Sequence, residues 1–207
     1  MATIDFHPSA DPATIAAWLA TRIAAAMEAS SGPIAITVPG GRTPFPVFAA
    51  LVEHDLPFSR LHVWPNDDRQ VPEDHPASNV AKIRAIFEPV GATVVKLEEG
   101  MVPPTFALAL LGMGEDGHTA SLFPNTNPTL DAPTTIIRLT PDPLPPEAPF
   151  DRLTLTLPSL VSSGEIAFLI TGGGTKREVF EAAASGESDL PVARLLAATD
   201  KMVTCFC

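Results

Sequence analysis

The chain contains little cysteine, few basic residues and no long apolar run. Its only cysteines, Cys205 and Cys207, are close neighbours among the 207 residues, so they cannot cross-link a fold and they favour a reducing, cytoplasmic location. Lys and Arg total 13 against 24 for Asp and Glu, a net charge of −11, which argues against nucleic acid or an anionic membrane as a partner. No run is long enough to span a membrane, and the N-terminus lacks the features of a signal peptide. The composition predicts a single globular domain over residues 1–207.

Signatures of metal and nucleotide sites are equally scarce. The five histidines, at positions 7, 54, 62, 75 and 118, show no spacing typical of metal ligands, so we expect no metal. Gly112, Gly114 and Gly117 match the G-x-G-x-x-G of dinucleotide-binding folds, but two acids stand inside this turn and Pro124 would end the helix that should follow. The acid at the usual distance downstream, Asp131, lies among prolines and not on a strand. The pattern therefore disfavours a nucleotide at this turn.

Apolar segments of strand length alternate with helical patterns along the chain. A helix is predicted to begin at Asp11-Pro12, with Asp11 as its cap, and to stop at Ser31-Gly32-Pro33. Strands are predicted at 34–38, 61–64, 93–97, 106–111, 153–157 and 166–170, and further helices near 44–53, 77–87 and 176–184. Strands that alternate with helices favour a doubly wound α/β fold with a mainly parallel sheet.

One segment is irregular. Residues 124–149 include eight prolines in 26 positions, too many for a central strand because proline cannot donate a ladder hydrogen bond. The length of the segment is typical of a surface loop or lid beside a site, and a connector without any role is an equal alternative.

Polar turns follow four of the predicted strands. The first is Gly40-Gly41-Arg42-Thr43-Pro44, where glycines let the backbone close around a ligand and Thr43 can cap the next helix, whose N-terminus would bind an anion. The second runs from Asn66 to Pro72 and combines two acids with an arginine, a set that could orient sugar hydroxyls and hold an anion. An ordinary turn in the first case and a solvated, charged turn in the second are the alternatives.

The third turn, at 112–124, follows an uninterrupted apolar run at 106–111. Such a run bounded by glycine suits a strand that is buried on both faces of a parallel sheet. Ligands bind beyond the carboxyl ends of the strands in these sheets. Asp116 and His118 are therefore expected at the rim of a site.

The fourth turn, Gly173-Gly174-Thr175-Lys176, follows the strand predicted at 166–170. Thr175 and Glu178 have the spacing of a capping box, which puts Lys176 in the first turn of a helix. A lysine there opposes the helix dipole, so a bound anion explains it better than an idle surface position does. Because all four turns follow strands, we expect them to converge at one edge of the sheet and to hold a small anionic substrate by local positive charge.

These turns together resemble the 6-phosphogluconolactonase branch of a family that also includes glucosamine-6-phosphate deaminases. The resemblance rests on the strings 39–44, 66–72 with Ser78-Asn79, and 112–124, and it extends to 152–156 and 173–176. It implies a Rossmann-like, three-layer α/β/α fold without a metal or organic cofactor. It also implies hydrolysis of 6-phosphogluconolactone in the oxidative pentose phosphate pathway, with this small phosphosugar lactone bound by a monomer or homodimer.

Two positions separate the branches of this family. Deaminase-like relatives carry an aromatic residue in place of Arg69, and Phe-Asn-Glu-Pro in place of Ser121-Leu-Phe-Pro124, and the missing glutamate is associated with ring opening and amine chemistry. The lactonase branch is therefore favoured. Three departures from its pattern are a shortened stretch between Lys82 and Phe106, Leu144 where many relatives have a phosphate-facing lysine, and Asp68 in place of glutamate.

With this resemblance, individual residues take specific roles. Neutral His118 would take a proton from water for attack on the lactone carbonyl, Asp116 would orient it, and Asp67 would position the water or a hydroxyl. Backbone N–H groups of the glycine-rich turns would stabilise the oxyanion. The expected catalytic residues are His118, Asp116 and Asp67, and the expected substrate-binding residues are Gly40, Gly41, Arg42, Thr43, Arg69, Gly114, Arg152 and Lys176. Two alternatives stay open, a deaminase-like aldose–ketose isomerase and a non-catalytic sugar-phosphate sensor.

Overall fold

The computed structural model of the chain describes residues 2–146, 148–170 and 174–207, and these form a doubly wound α/β fold. The strands are β1 Thr3–His7, β2 Ile34–Val38, β3 Leu61–Pro65, β4 Asp67–Arg69, β5 Thr93–Val94, β6 Leu108–Gly112, β7 Ile136–Leu139, β8 Arg152–Leu155, β9 Glu165–Leu169 and β10 Met202–Phe206. The helices are α1 Pro12–Glu28, α2 Phe45–Leu51, α3 Asn79–Phe87, α4 Leu157–Val161, α5 Gly174–Ala184 and α6 Pro191–Ala197. Short 3-10 turns lie at Phe58–Arg60, Glu88–Val90 and Pro124–Thr126.

The central sheet has seven strands in the order β1-β10-β9-β6-β2-β3-β5, and neighbouring strands in it are parallel throughout. A second sheet, in the order β4-β8-β7, is antiparallel. From β2 the chain continues to β3 and β5 on one side, whereas from β6 it continues to β9 and β10 on the other. The β2–β6 junction is thus a topological switch point, and the crevice beyond the carboxyl ends of such strands is where α/β folds bind ligands.

Side chains that alternate along the central strands build two separate cores. Ile36 of β2 and Leu110 of β6 pack with α1, α2 and α3 on one face, whereas Ala35 and Leu111 pack with α4, α5 and α6 on the other. Both faces of these strands are covered, which is why their sequences read as continuous apolar runs. The prediction of a three-layer, mainly parallel α/β fold is confirmed.

Helix α1 shows how the sequence fixes the ends of an element. The Asp11 side chain accepts a hydrogen bond of 2.7 Å from the backbone N–H of Thr14, and Pro12 occupies the first helical position. At the other end the guanidinium of Arg60 donates to the carbonyl oxygens of Met27, Ser30 and Gly32 at 3.1, 2.6 and 2.9 Å. These bonds satisfy carbonyl groups at and beyond the end of the helix, and they confirm both predicted ends.

Several predicted strands differ from the observed ones. The strand expected at 93–97 is limited to Thr93–Val94 at the sheet edge. The one expected at 153–157 is β8, which pairs in the second, antiparallel sheet and gives way to α4 at Leu157. The edge strand β1 and its neighbour β10, together with the short β4 and β7, were not predicted. Composition within a few residues is a weak signal for strands that depend on their pairing partners.

The proline-rich segment 124–149 matches its predicted character in part. Among its described residues it contains the 3-10 turn Pro124–Thr126 and the strand β7, which is the outer strand of the second sheet. An outer strand between prolines agrees with the prediction that this segment supplies no central strand. Its role as a lid stays a prediction.

Two compositional expectations also have structural counterparts. Cys205 and Cys207 are both free thiols, and the cytoplasmic location that the cysteine content favours stays a prediction. Within the described ranges, no helix combines the length and apolarity needed to cross a membrane.

Candidate active site

A cavity of about 330 Å³ opens at the carboxyl ends of the central strands. Its walls come from the turn after β2, from Asn66, Asp67 and Arg69 after β3, from the glycine-rich turn after β6, and from Lys176 on α5. The turns that the sequence singled out therefore meet at the switch point between β2 and β6. Gly173, the first residue of the fourth turn, lies outside the described residues.

His118 and Asp116 form a hydrogen-bonded pair at the cavity rim. The distance from His118 Nδ1 to Asp116 Oδ1 is 2.6 Å, and the same oxygen accepts the His118 backbone N–H at 3.2 Å. His118 lines the cavity and its side chain is 32% exposed, whereas the Asp116 side chain is 51% exposed and faces the outer side of the turn. Partial burial raises the pKa of Asp116, but the hydrogen bond and charge of His118 outweigh it, so that pKa is lowered. The carboxylate is thus held ionised where it can orient the imidazole.

The turn itself closes around His118. Gly114 donates its backbone N–H to the His118 carbonyl at 3.0 Å. Its α-carbon lies so near the ring that an added Cβ would stand 2.3 Å from both His118 Nδ1 and Cε1. The ring of Phe123 packs on the imidazole with centroids 4.8 Å apart. Backbone on one side and an aromatic ring on another therefore fix the imidazole.

Asp67 is the acid that lines the cavity among the described residues. Its Oδ2 accepts a short hydrogen bond from the Ser121 hydroxyl. The Asn79 amide nitrogen lies 3.1 Å from the Asp67 carbonyl oxygen and 3.4 Å from Oδ1. Asn79 in turn packs on Gly40, where a Cβ would fall 2.2 Å from the amide carbon. The carboxylate is therefore anchored on both oxygens, and this packing leaves room only for glycine at position 40.

Asp68 faces away from the cavity and holds the start of α3. Its carboxylate accepts the backbone N–H groups of Asn79 at 2.6 Å, Val80 at 3.0 Å and Arg69 at 2.8 Å. Burial raises the pKa of Asp68, and these three N–H donors oppose that shift. The first amides of a helix have no partner inside it, so Asp68 ties α3 to the strand that carries Asp67.

Two arginines stand opposite one another in the β4–β8 pair, but only one reaches the cavity. Arg69 lines it, with Nη1 donating to the Ala77 carbonyl at 2.9 Å. Among the described residues the cavity lining does not include Arg152, which is 3% exposed and donates to the carbonyl oxygens of Phe150 and Ala148. Burial, and secondly the charge of Arg69, lower the pKa of Arg152. The guanidinium of Arg152 is thus used inside the second sheet, and its expected contact with a substrate stays a prediction.

Arg42 and Lys176 add positive charge from two other sides. Both line the cavity, Arg42 exposed on the turn after β2 and Lys176 half-buried on α5. On a chain of net charge −11, three basic side chains around one cavity create a local site for an anion.

Two capping predictions near these residues are wrong. Helix α2 begins at Phe45 with Pro44 in the cap position and no side-chain capping bond, so Thr43 lines the cavity without capping the helix. The described part of helix α5 includes Gly174 and Thr175, so Thr175 lies inside the helix and cannot be its cap. At α2 the chain enters the helix one residue after the position that Thr43 favoured.

Asn66, Asn79 and Ser121 belong to the site although the sequence assigned them no role. Asn66 is buried, donates to Thr37 Oγ1 at 2.8 Å, and links β2 to β8 through backbone bonds to Val38 and Leu155. All three residues lie inside the strings that carried the family resemblance. The signal was therefore present, but only long-range pairing shows which atoms these side chains touch.

The site offers no assembled group of metal ligands or nucleotide cradle in the part of the chain that the structure describes. No three or more His, Cys, Asp or Glu side chains there are grouped to hold a metal ion. After Gly117 the chain forms a bridge between Thr119 and Leu122 and then a 3-10 turn. A bridge and a 3-10 turn thus stand where a dinucleotide-binding fingerprint requires a helix. This agrees with the prediction that Pro124 prevents a helix there.

Comparisons with known proteins point to one family. The family model for glucosamine-6-phosphate isomerases/6-phosphogluconolactonase matches residues 10–100 and 87–204. The 6-phosphogluconolactonase of Pseudomonas putida is 32% identical, over 94% of this chain and 90% of the relative. The 6-phosphogluconolactonase of Synechocystis is 33% identical, over 78% of this chain and 75% of the relative. The crystal structure described as a 6-phosphogluconolactonase from Neisseria gonorrhoeae matches this chain over 100% of both chains, with a TM-score of 0.81 and 26% identity. The chain therefore belongs to the glucosamine-6-phosphate isomerase/6-phosphogluconolactonase family.

Proposed function

We propose that this protein hydrolyses 6-phospho-D-glucono-1,5-lactone to 6-phosphogluconate, in the oxidative pentose phosphate pathway. The observation that carries the proposal is that one cavity combines a carboxylate-oriented histidine with three basic side chains. The names of relatives that are about one-third identical over most of their length support the same reaction.

His118 acts as the general base in this proposal. Its Nδ1 donates to Asp116 Oδ1 at 2.6 Å, which leaves the lone pair of the neutral imidazole on Nε2. A water held there loses a proton to Nε2 as its oxygen attacks the lactone carbonyl. Asp116 then stabilises the imidazolium that forms, in the way an acid orients a catalytic histidine elsewhere.

The tetrahedral intermediate carries a negative charge on the former carbonyl oxygen. Residues of the glycine-rich turns after β2 and β6 line the cavity. We propose their backbone N–H groups as donors to this oxyanion, apart from that of Gly114, which donates to the His118 carbonyl. When the intermediate collapses, the ring C–O bond breaks and the leaving hydroxyl takes the proton from His118. Asp67 orients the attacking water or a neighbouring sugar hydroxyl.

The phosphate of the substrate is bound by Arg42, Arg69 and Lys176, with the backbone of Gly40, Gly41 and Thr43 beside it. Guanidinium groups suit this ligand because they donate two parallel hydrogen bonds to phosphate oxygens. Arg152 supports this site indirectly, since its buried guanidinium braces the strand beside Arg69.

The decisive experiment is the initial rate of lactone hydrolysis, with lactone generated in situ and spontaneous hydrolysis subtracted. His118→Ala should lower kcat by about 100-fold to 10,000-fold, the range that a general base contributes, while affinity for 6-phosphogluconate is retained. His54→Ala is the matched control because His54 lies outside the cavity lining. A His118→Ala enzyme with wild-type turnover would remove His118 as the base.

Two further measurements separate the alternative functions. Release of ammonia from glucosamine 6-phosphate would favour a deaminase-like isomerase. Binding of 6-phosphogluconate without turnover of either substrate would favour a sugar-phosphate sensor.

A further inference from the structure

Ser121 makes a contact that the reaction described above does not yet use. It is 1% exposed, and its hydroxyl donates a short hydrogen bond to Asp67 Oδ2 although 54 residues separate the two in the chain. A serine hydroxyl needs some partner when buried, and here the partner is the acid that lines the cavity.

The chain delivers Ser121 to this contact by an unusual turn. Ala120 has a φ of 51°, the left-handed conformation that residues other than glycine seldom adopt. Ser121 then donates its backbone N–H to Thr154 Oγ1 at 3.2 Å. Thr154 stands opposite Asp67 in the β4–β8 register. Ser121 is thus seated on the same strand pair that carries Asp67.

A second donor holds the other oxygen of this carboxylate. The Asn79 amide nitrogen lies 3.4 Å from Asp67 Oδ1 and 3.1 Å from the Asp67 carbonyl. Because both acceptors are oxygens without protons, the amide must present its N–H₂ group to them. The carboxylate therefore has Ser121 on one oxygen and Asn79 on the other, which fixes its rotation about the Cβ–Cγ bond.

From these contacts we propose that Ser121 is a positioning residue that sets the Asp67 carboxylate relative to His118. His118 and Ser121 belong to one turn, which is locked by the bridge between Thr119 and Leu122. The turn that carries the base therefore also holds the acid across the cavity. This inference rests on the proposed function, in which Asp67 orients the attacking water or a sugar hydroxyl.

A double-mutant cycle in turnover tests the proposal. Ser121→Ala should lower kcat by about tenfold, a coupling usual for residues in contact, while KM and the affinity for 6-phosphogluconate change by less than about twofold. In an Asp67→Ala background the same serine substitution should cause no further loss, since the group it positions is gone. Full, additive loss in that background would overturn the proposal.

Two further variants distinguish positioning from general packing. Ser121→Thr keeps the hydroxyl and should restore most of the turnover lost in Ser121→Ala. Ser159→Ala removes another buried hydroxyl, whose oxygen lies 2.8 Å from Thr156 Oγ1. Neither residue lines the cavity, so this variant should leave kcat unchanged. Equal losses of turnover in Ser121→Ala and Ser159→Ala would mean that Ser121 serves only the fold.

The free energy of urea unfolding can be measured for the same cycle of Ser121→Ala and Asp67→Ala. This measurement does not depend on turnover, so it separates failure of this inference from failure of the proposed function. A wild-type protein that does not hydrolyse the lactone would contradict the lactonase assignment. In that case, a coupling free energy between Ser121 and Asp67 in urea unfolding would still support the proposal that Ser121 holds the Asp67 carboxylate. Additive losses of unfolding free energy would reject that proposal.

Discussion

The α-carbon of Gly114 lies directly against the imidazole of His118. A Cβ built on Gly114 would stand 2.3 Å from His118 Nδ1 and 2.6 Å from Asp116 Oδ1. Real Cβ atoms do not approach other atoms so closely, so any side chain at this position must push the histidine or the aspartate aside. The glycine spacing that imitates a nucleotide-binding fingerprint is thus explained, at this position, by the space that the His118–Asp116 pair needs.

Gly114→Ala should therefore lower kcat by about 100-fold, because a displacement near 1 Å of a reacting group is enough for such a loss. Gly32→Ala is the control, since no atom lies within 4 Å of its added Cβ. Steady-state kinetics on both variants, with circular dichroism to verify folding, provide the measurement. Wild-type turnover in Gly114→Ala would show that the His118–Asp116 geometry does not limit the reaction.

Asp116→Asn should reduce kcat by at least about 100-fold at neutral pH, within the contribution of a general base. An amide can donate to Nδ1, which would put the proton on Nε2 and leave the imidazole in the wrong tautomer for taking a proton. Glu115→Gln removes one negative charge from the neighbouring, exposed position and should have little effect. Similar losses in the two variants would mean that net charge of the turn, and not the orientation of His118, is what matters.

The lowered pKa of Asp116 also predicts how stability changes with pH. A carboxyl whose pKa is lower in the folded state stabilises the fold above its unfolded pKa, which is about 3.9. That contribution is lost as the pH falls through the folded pKa. Urea unfolding of wild type and Asp116→Asn should therefore differ most above pH 4 and converge in stronger acid. The comparison between variants cancels the opposite shift of Asp68, and a difference that grows in acid would contradict the prediction.

The central sheet and the convergence of the polar turns could be predicted because both follow from local sequence. Continuous apolar runs such as Leu108–Gly112 are buried on both faces, and their carboxyl ends meet at one edge of the sheet. What could not be predicted is how the second sheet uses its residues. Arg152 has the same chemistry as Arg69 and stands opposite it, yet its guanidinium donates to the carbonyl oxygens of Phe150 and Ala148, contacts that only the folded chain shows.

Asp68 gives a second example of a role that depends on long-range contacts. In the sequence it is one of two adjacent acids, and in a strand neighbouring side chains point to opposite sides. Asp67 therefore turns to the cavity while Asp68 turns to the amides of Asn79 and Val80. The sequence contains both acids but does not state which of them faces the ligand.

Asp68→Ala should lower the free energy of unfolding by about 1–3 kcal/mol, the cost of leaving buried N–H groups without a partner. Because Asn79 contacts Asp67, a smaller loss of turnover should accompany the loss of stability. Asp74→Ala, on the exposed turn before α3, should leave both unchanged. Unchanged urea resistance in Asp68→Ala would show that water replaces the carboxylate at the start of α3.

Arg152 and Arg42 should respond in opposite ways to the same substitution. Arg152 is buried and its guanidinium bonds the carbonyl oxygens of Phe150 and Ala148, so Arg152→Met should cost about 1–3 kcal/mol of stability. Arg42 is exposed at the cavity, so Arg42→Met should keep stability within about 0.5 kcal/mol of wild type. It should instead weaken binding of 6-phosphogluconate by about tenfold or more, because it removes a charged hydrogen-bonding partner of the phosphate.

Urea unfolding and calorimetric titration of the two variants make this comparison, and raising the salt concentration should reduce the affinity difference for Arg42→Met. If Arg152→Met kept full stability but lost affinity, the buried arginine would have to be returned to the substrate site. That result would also require the Arg152 guanidinium to leave the carbonyl oxygens of Phe150 and Ala148 when the ligand binds.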